Sequence, residues 1–254
     1  GGDFHLKSVR GSYHGGAWTA DATHSPCVDA GAPATAYASE PAYNGFRANM
    51  GAYGGTEQAS KSLGIYYVND NSTTNDNWCE AAGDDANNGV TPWAPKATVQ
   101  DVLADYNLEP GDIVRIDTGT YNLTSDIVVG AADGGNAGAY VTIEASPYGV
   151  TINRGNTATG TMCWQMMAEY VKLTTASSAR YPGVAQRYMQ ATGAEVGLHS
   201  DWQTRSCLIT RCDFNGHRTY GMLFTDDTYG ITVENCVIRG TTGPNGVGIG
   251  AQFH

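Results

Sequence analysis

The sequence predicts an all-β chain folded as a parallel β-helix, in which short strands wind into a stack of coils. The first observation is a repeat: residues 207–216 and 231–240 share one apolar pattern at an offset of 24 residues. Both copies carry apolar residues at the first, third, sixth and eighth positions. The second observation is a short apolar run after each copy, at 221–224 and 246–249. Three short strands per repeat of about two dozen residues are typical of one coil of a solenoid.

Each copy contains one point where the alternation slips by one residue, at Arg211 in the first copy and Asn235 in the second. Because the side chains of a strand alternate between two faces, this slip indicates a bend after which the inward face is still inward. Equivalent positions of successive coils then lie one strand spacing apart, about 4.8 Å. We therefore expect Cys212 beneath Cys236 as a ladder in the core. A disulfide between them is within reach, and a pair of reduced, buried thiols is the favoured alternative.

The composition excludes two classes of partner. Only 14 Lys and Arg stand against 25 Asp and Glu, a formal net charge of −11, so no basic stripe can neutralise phosphates and we expect no nucleic acid. No apolar run reaches about 18 residues, so we expect no membrane span. A surface rich in Asn, Thr and Gly suits a secreted protein, extracellular or on the cell surface. The six cysteines lack the C-x-x-C spacing of a zinc site.

The chain divides into a loop-rich first part and a strand-rich second part. Residues 1–60 are expected to be a closing or cap segment, 61–64 a linker, and 65–254 the start and first coils of a β-helix. Within the first part, Phe4 and Leu6 alternate in a short strand fragment that needs a neighbour to pair with.

One helix is expected near 98–106, ahead of the strands. Its apolar positions follow the i, i+3, i+4, i+7 spacing and are Val99, Val102, Leu103 and Tyr106. Thr98, with Asp101 three residues later, resembles a capping box. Such a helix can cover the bottom of a β-helix. Alternating apolar pairs then predict strands at 114–116, 127–129, 141–143, 150–152 and 171–173. An insertion at about 174–205 interrupts this series, and a loop of that length is usually functional or disordered.

Two sets of motifs resemble a known superfamily. The segments 3–6, 25–31 and 49–56 resemble the closing segment of secreted bacterial right-handed parallel β-helix repeat proteins, the pectate-lyase-like superfamily. The segments 84–92, 110–112 and 119–121 resemble the start of the same β-helix. The resemblance implies a right-handed β-helix, and it extends to polysaccharide lyases and epimerases. It does not specify an activity.

Acidic side chains offer candidate calcium ligands, because Ca²⁺ prefers carboxylate and amide oxygens. They are Asp226 and Asp227 in one turn, and Asp84, Asp85 and Asn87 in another. Solvated turn residues are the simpler interpretation of both groups. An enzyme acting on an acidic polysaccharide would also need a cation to neutralise the uronate carboxylate and a base to remove the α-proton. The groups available near predicted strands are Lys172, Arg211, His217 and Arg218.

The predicted insertion carries aromatic side chains that could stack on sugar rings. They are Tyr181, Tyr188 and Trp202. The alternative is that these rings pack the insertion onto the flank of the strands, which is the favoured interpretation.

We expect a structural, extracellular protein that assembles end to end, with carbohydrate binding as an additional role. The partners would be adjacent β-helix modules in a tandem array, or copies of the same chain in a filament. In a filament, Phe4 and Leu6 of one chain would add to the coil of Val247 and Ile249 in the next, a heterologous contact. The alternatives are a polysaccharide lyase or epimerase, which the sequence favours less, and a glycan-binding adhesin.

Overall fold

The structure is a computed structural model that describes residues 3–41, 44–45, 47–177, 185–201, 204–225, 228–243 and 246–251. Three parallel sheets, here called I, II and III, hold most of its strands. Sheet I contains β3 (Ile65–Val68), β4 (Ile113–Ile116), β7 (Val141–Ala145), β10 (Val171–Thr175), β13 (Leu208–Thr210) and β16 (Thr232–Glu234), in that spatial order. Sheet II contains β5 (Gly119–Asn122), β8 (Val150–Asn153), β11 (Met189–Thr192), β14 (Cys212–Asn215) and β17 (Val237–Arg239). Sheet III contains β6 (Ile127–Val129), β9 (Met162–Met166), β12 (Val196–Ser200), β15 (Tyr220–Phe224) and β18 (Val247–Ala251).

From β4 onward, consecutive strands lie in sheets I, II and III in turn, and each such set of three is called a coil. Strands of neighbouring coils pair in parallel and in register. The offset of 24 residues in the sequence equals the separation of paired residues in these two coils, because Ile209 pairs with Val233 and Phe214 pairs with Ile238. This stacking is consistent with a parallel β-helix, and the described strands form no closed barrel.

The core consists of apolar columns that run through the coils. The sheet I column is Tyr66, Val114, Ile143, Leu173, Ile209 and Val233. The sheet II column is Tyr121, Ile152, Ala191, Phe214 and Ile238. The sheet III column is Ile127, Trp164, Leu198, Met222 and Ile249. Members of each column are buried until the coil of β16, β17 and β18, where Ile249 is 50% exposed. That coil therefore leaves part of the apolar interior uncovered.

The bend between sheets I and II is made by residues with positive φ. Arg211 has φ 56° and Asn235 has φ 55°, the left-handed conformation that single residues adopt at sharp turns. The bend that the sequence predicts at these two residues is confirmed. The backbone changes direction there without exchanging its inner and outer faces.

Helix α1 (Val99–Asp105) covers the first coil. Thr98 Oγ1 accepts a hydrogen bond from Asp101 N at 3.2 Å, so the predicted N-cap is confirmed. Val99 and Val102 are buried in the core that also contains Tyr66 and Ile127. Nowhere in the described ranges does a helix have the length and apolar content that a membrane crossing requires.

The described residues between 3 and 64 form loops and one hairpin, β1 (Ser12–His14) with β2 (Ala17–Thr19). Arg10 attaches this part to the sheets through Asp112, at 3.1 Å. The strand expected around Phe4 and Leu6 is not formed. Leu6 O instead accepts a hydrogen bond from Ser60 Oγ, and Phe4 is 70% exposed.

The insertion expected at about 174–205 contains two ordinary strands, β11 and β12. Their apolar residues face the core, but they alternate with Gln, Gly and His, so the sequence carries only a weak strand pattern there. Between β10 and β11, residues 176–177 and 185–188 belong to no strand, and 178–184 lie outside the described residues.

Candidate functional site

A groove of about 830 Å³ runs along the outer face of sheet II. Its floor carries one polar residue from each of four successive strands, β5, β8, β11 and β14. These are Thr120, Thr151, Gln190 and Asp213, which pair with one another in register. At one strand spacing per step, about 4.8 Å, the row is about 14 Å long. We call this groove, with its row of side chains, the ladder groove.

The wall of the ladder groove combines two tyrosines with an arginine. Tyr148 belongs to the turn between β7 and β8, and Arg187 and Tyr188 precede β11. Arg187 N donates a hydrogen bond to Pro147 O at 2.8 Å, which ties the two wall segments together. Arg187 is exposed and Tyr188 is half-buried. The wall therefore presents a partly exposed ring and a cationic side chain beside the polar floor.

Asp213 is the one charged member of the floor, and it is 6% exposed. Its Oδ2 accepts a hydrogen bond from Arg239 at 2.7 Å, in the next coil. This hydrogen bond, together with the charge of the carboxylate, raises the pKa of Arg239. The pair holds the carboxylate in place at one end of the groove.

A second recess, of about 270 Å³, lies on the outer face of sheet I. Three of the chain's 14 basic residues line it, namely Arg115, Lys172 and Arg211. We call it the cation recess. Arg115 pairs with Glu144 at 3.0 Å, and its guanidinium lies 5.2 Å from the centre of the Trp78 ring. A recess with this lining favours an anion, although the protein as a whole is acidic.

Two of these three cations lack an acidic partner among the residues that the structure describes. Lys172 pairs in register with Thr142 and Leu208, which are uncharged. Arg211 donates a hydrogen bond to Thr174 Oγ1 at 3.3 Å and makes no ion pair within the described ranges. The recess consequently has a net positive charge that an anionic ligand group could neutralise.

The ladder groove and the cation recess lie on the two sides of the corner between sheets I and II. Described residues between β10 and β11 reach both depressions, because Ser177 lines the cation recess and Gln186 lines the ladder groove. The segment 75–78 also reaches both. It is anchored by Asp117, whose carboxylate accepts hydrogen bonds from Trp78 N at 2.7 Å and from the two flanking backbone amides. The two depressions therefore share these two stretches of chain in their walls.

The residues predicted as calcium ligands divide between described and undescribed parts of the chain. Asp84, Asp85 and Asn87 bond to their own loop: Asp85 Oδ1, for example, accepts hydrogen bonds from Thr98 N and Ala97 N, each at 2.9 Å. Across the described ranges, no group of three or more His, Cys, Asp or Glu side chains could hold a metal ion. Asp226 and Asp227 lie outside these ranges, so calcium binding there stays a prediction.

The other predicted site residues are only partly brought together. Tyr188 lines the ladder groove, whereas Tyr181 and Trp202 lie outside the described residues. Lys172 and Arg211 share the cation recess. The remaining two candidate bases have structural contacts elsewhere. His217 is buried against Ala191 O, with its pKa lowered to about 4 by desolvation, and Arg218 pairs with Glu195.

Sequence reasoning missed the floor of the ladder groove. Thr120, Thr151, Gln190 and Asp213 are unremarkable polar residues in the sequence, and each lies at an outward position of its strand. The signal that could have found them is the register, because once the strands are aligned these residues form one row.

Comparison of the chain with protein-family models, with curated proteins and with solved structures finds no match. The geometry of the site therefore carries the functional argument.

Proposed function

We propose that the chain is a right-handed parallel β-helix that binds an extended carbohydrate in the ladder groove, with an acidic group of the same glycan in the cation recess. The ladder groove is the observation that carries this proposal. It is long, open and mostly polar, and hydroxyl-rich ligands are held by many hydrogen bonds from such surfaces. An extracellular or cell-surface location would suit such a ligand.

The row of floor residues supports a polymer in preference to a compact ligand. Thr120, Thr151 and Gln190 each supply side-chain hydrogen-bonding groups at a regular spacing of about 4.8 Å. Tyr188 supplies an apolar face beside them, and a partly exposed ring loses little conformational entropy on binding. A flexible chain of sugars can follow such a row, whereas a small ligand would use only part of it.

The cation recess supports an acidic sugar. Lys172 and Arg211 have no acidic partner among the described residues, so a carboxylate or sulfate of the ligand would gain ion pairs without displacing existing ones. The overall charge of −11 opposes an anionic polymer at long range. Binding should therefore depend on local contact in the cation recess.

The test is calorimetric titration of the chain with an acidic polyuronate and with a neutral polysaccharide of matched length. Tyr188→Ala should weaken binding of both polymers about tenfold, the effect expected for an aromatic contact worth more than about 1 kcal/mol. Lys172→Gln should weaken only the acidic polymer, by about threefold, because an exposed ion pair contributes less than about 1 kcal/mol. Tyr229→Ala is the matched control, since Tyr229 is 56% exposed and lines neither depression.

Absence of binding to every polymer would contradict the proposal, and so would equal losses for Tyr188→Ala and Tyr229→Ala. Shortening of the acidic polymer during the titration, with new unsaturated chain ends, would favour the lyase alternative. Each variant is first compared with the wild-type chain by thermal unfolding, so that a misfolded protein is not taken for a binding defect.

A second candidate function is end-to-end assembly, and the open coil of β16, β17 and β18 favours it. Ile249 ends a column whose lower members, Leu198 and Met222 among them, are buried, yet Ile249 is 50% exposed, and Val247 of the same strand is 45% exposed. Unpaired strand edges with exposed apolar residues are templates for a further strand. We propose that a second copy of the chain covers this coil.

Assembly through a strand at Phe4 and Leu6 would first have to break the hydrogen bond between Leu6 O and Ser60 Oγ. The partner surface on the second copy is therefore left to the experiment. Light scattering over a hundredfold concentration range should show species larger than a monomer, and Ile249→Lys should abolish them. A chain that remains monomeric throughout would rule this candidate out.

A further inference from the structure

Two cysteines occupy the same position in successive coils. Cys212 opens β14, and Cys236 directly precedes β17, whose pairing with β14 places one cysteine above the other. Each follows a residue with positive φ, Arg211 or Asn235. The two Cα–Cβ bonds therefore leave the backbone in the same direction.

The two thiols also make the same contacts. Cys212 Sγ lies 3.4 Å from Thr210 O, and Cys236 Sγ lies 3.5 Å from Glu234 O, the carbonyl two residues earlier in each case. Paired residues on neighbouring parallel strands are separated by about 4.8 Å, which falls in the range of Cα separations that a disulfide allows, about 4.4–6.8 Å. Because the two Cα–Cβ bonds are parallel, the Cβ atoms are also about 4.8 Å apart, slightly more than the roughly 3.5–4.5 Å of a disulfide. The two strands must therefore approach by a few tenths of an ångström, with rotation of the side chains, before the sulfurs can join.

The environments of the two thiols differ in a way that assigns them different roles. Cys212 is fully buried, and burial raises its pKa. Cys236 is half-exposed, and the hydrogen bond from Cys212 lowers its pKa to about 7. A thiolate is the reactive form in disulfide exchange. In the unassembled chain, whose coil of β16, β17 and β18 is uncovered, Cys236 is thus the accessible nucleophile, and Cys212 is positioned to react in a second step.

We propose that Cys212 and Cys236 are a site of oxidative modification, at which exchange with a low-molecular-weight disulfide joins the two cysteines in a disulfide bond between the coil that contains β14 and the coil that contains β17. The thiolate of Cys236 attacks one sulfur of the disulfide, whose S–S bond breaks to release one thiolate. The sulfur of Cys212 then attacks the Cys236 sulfur of this mixed disulfide. Its proton passes to the second departing thiolate. Two protein thiols are oxidised, and one small disulfide is reduced to two thiols.

The link would strengthen the stack where it is least covered. Among the described strands, the coil of β16, β17 and β18 pairs on one side only. Its members of the apolar columns are partly exposed. A covalent bond to the coil below restricts the opening of this coil, because it limits the conformations available after the strands separate. This consequence is independent of carbohydrate binding.

The test treats the folded wild-type chain with oxidised glutathione and identifies modified peptides by mass spectrometry without reduction. The expected product is a peptide pair joined through Cys212 and Cys236. Cys212→Ala should leave a stable glutathione adduct on Cys236. Cys236→Ala should leave Cys212 unmodified, since Cys212 is buried. Cys163, also buried, is the control for unfolding and should stay unmodified in every sample.

A second measurement separates linkage from mere reactivity. Hydrogen exchange of the β17 amides should slow several-fold in the oxidised wild-type chain and stay unchanged in Cys212→Ala. A persistent adduct on Cys236 in the wild-type chain would overturn the proposal. It would equally be overturned if half-exposed Cys27 reacted while Cys212 and Cys236 remained unlinked.

Discussion

The sheet III column offers a direct measure of how the coils stack. Leu198 pairs with Trp164 on one side and with Met222 on the other, and it is fully buried. Ile249 pairs with Met222 from the next coil and is 50% exposed. Truncation of either residue to Ala removes three carbon atoms, worth about 2.4 kcal/mol of transfer free energy when fully buried. Leu198→Ala also leaves a cavity, which brings the expected loss to about 3–4 kcal/mol. Ile249→Ala leaves no enclosed cavity and should cost about 1 kcal/mol.

The measurement is urea unfolding followed by circular dichroism, with the free energy extrapolated to water. Val128→Ala is the control on the outer face, because Val128 is 41% exposed between the buried Ile127 and Val129 of β6. It should cost less than about 1 kcal/mol. All three variants should keep the wild-type slope of free energy against urea concentration.

Equal losses for Leu198→Ala and Ile249→Ala at low protein concentration would refute the stacking order. A large loss for Val128→Ala would show that the inner and outer faces have been exchanged. If the loss for Ile249→Ala instead rises with protein concentration, a second chain covers the open coil, as the assembly proposal requires.

Three further predictions concern buried polar groups and the helix cap. Burial lowers the pKa of His217 to about 4. As the pH falls, the unfolded chain therefore takes up a proton on this residue near pH 6.5, before the folded chain does. The contribution of neutral His217 to the free energy of unfolding is fully present above pH 6.5 and declines toward pH 4, by up to about 3 kcal/mol. The stability difference between wild type and His217→Gln, measured by urea unfolding at pH 7 and pH 4.5, should shrink accordingly, and a constant difference would contradict this. Asp117→Ala should cost at least about 3 kcal/mol in urea unfolding, because it leaves three buried or half-buried backbone amides of the 77–79 segment without their acceptor; Asp84→Ala, in an exposed turn, should cost less than about 1 kcal/mol. Thr98→Ala should cost about 1 kcal/mol in the same assay and Thr98→Ser much less, since Ser keeps the capping oxygen.

The stacking order was predictable because it depends on local alternation. Within one strand, burial of every second residue is visible in the sequence, and two matching coils fix the offset between them. The pairing of Ile209 with Val233 therefore follows from the sequence alone and is confirmed. The strands β11 and β12 were not predicted, because their inward residues, Ala191 and Val196 among them, alternate with Gln and Gly in a weak apolar pattern. Their inward and outward faces become clear only when they are aligned with the neighbouring strands.

The candidate site was predictable only in fragments. Lys172, Arg211 and Tyr188 are conspicuous in the sequence as cations or rings near strands. Their grouping with Arg115 and Trp78 depends on which strands are neighbours and on a loop that Asp117 anchors. Such contacts join residues far apart in the chain, and no local pattern encodes them.

The sequence by itself determined the alternating faces, the helix with its cap and the bends at Arg211 and Asn235, because each depends on residues close together in the chain. Only the tertiary structure decided which outward side chains form the row of the ladder groove and which cations share the cation recess. The reason is physical: inward residues are constrained by the need to exclude water, whereas outward residues satisfy the strand equally well in any order. Their arrangement acquires meaning only when the coils are stacked in register.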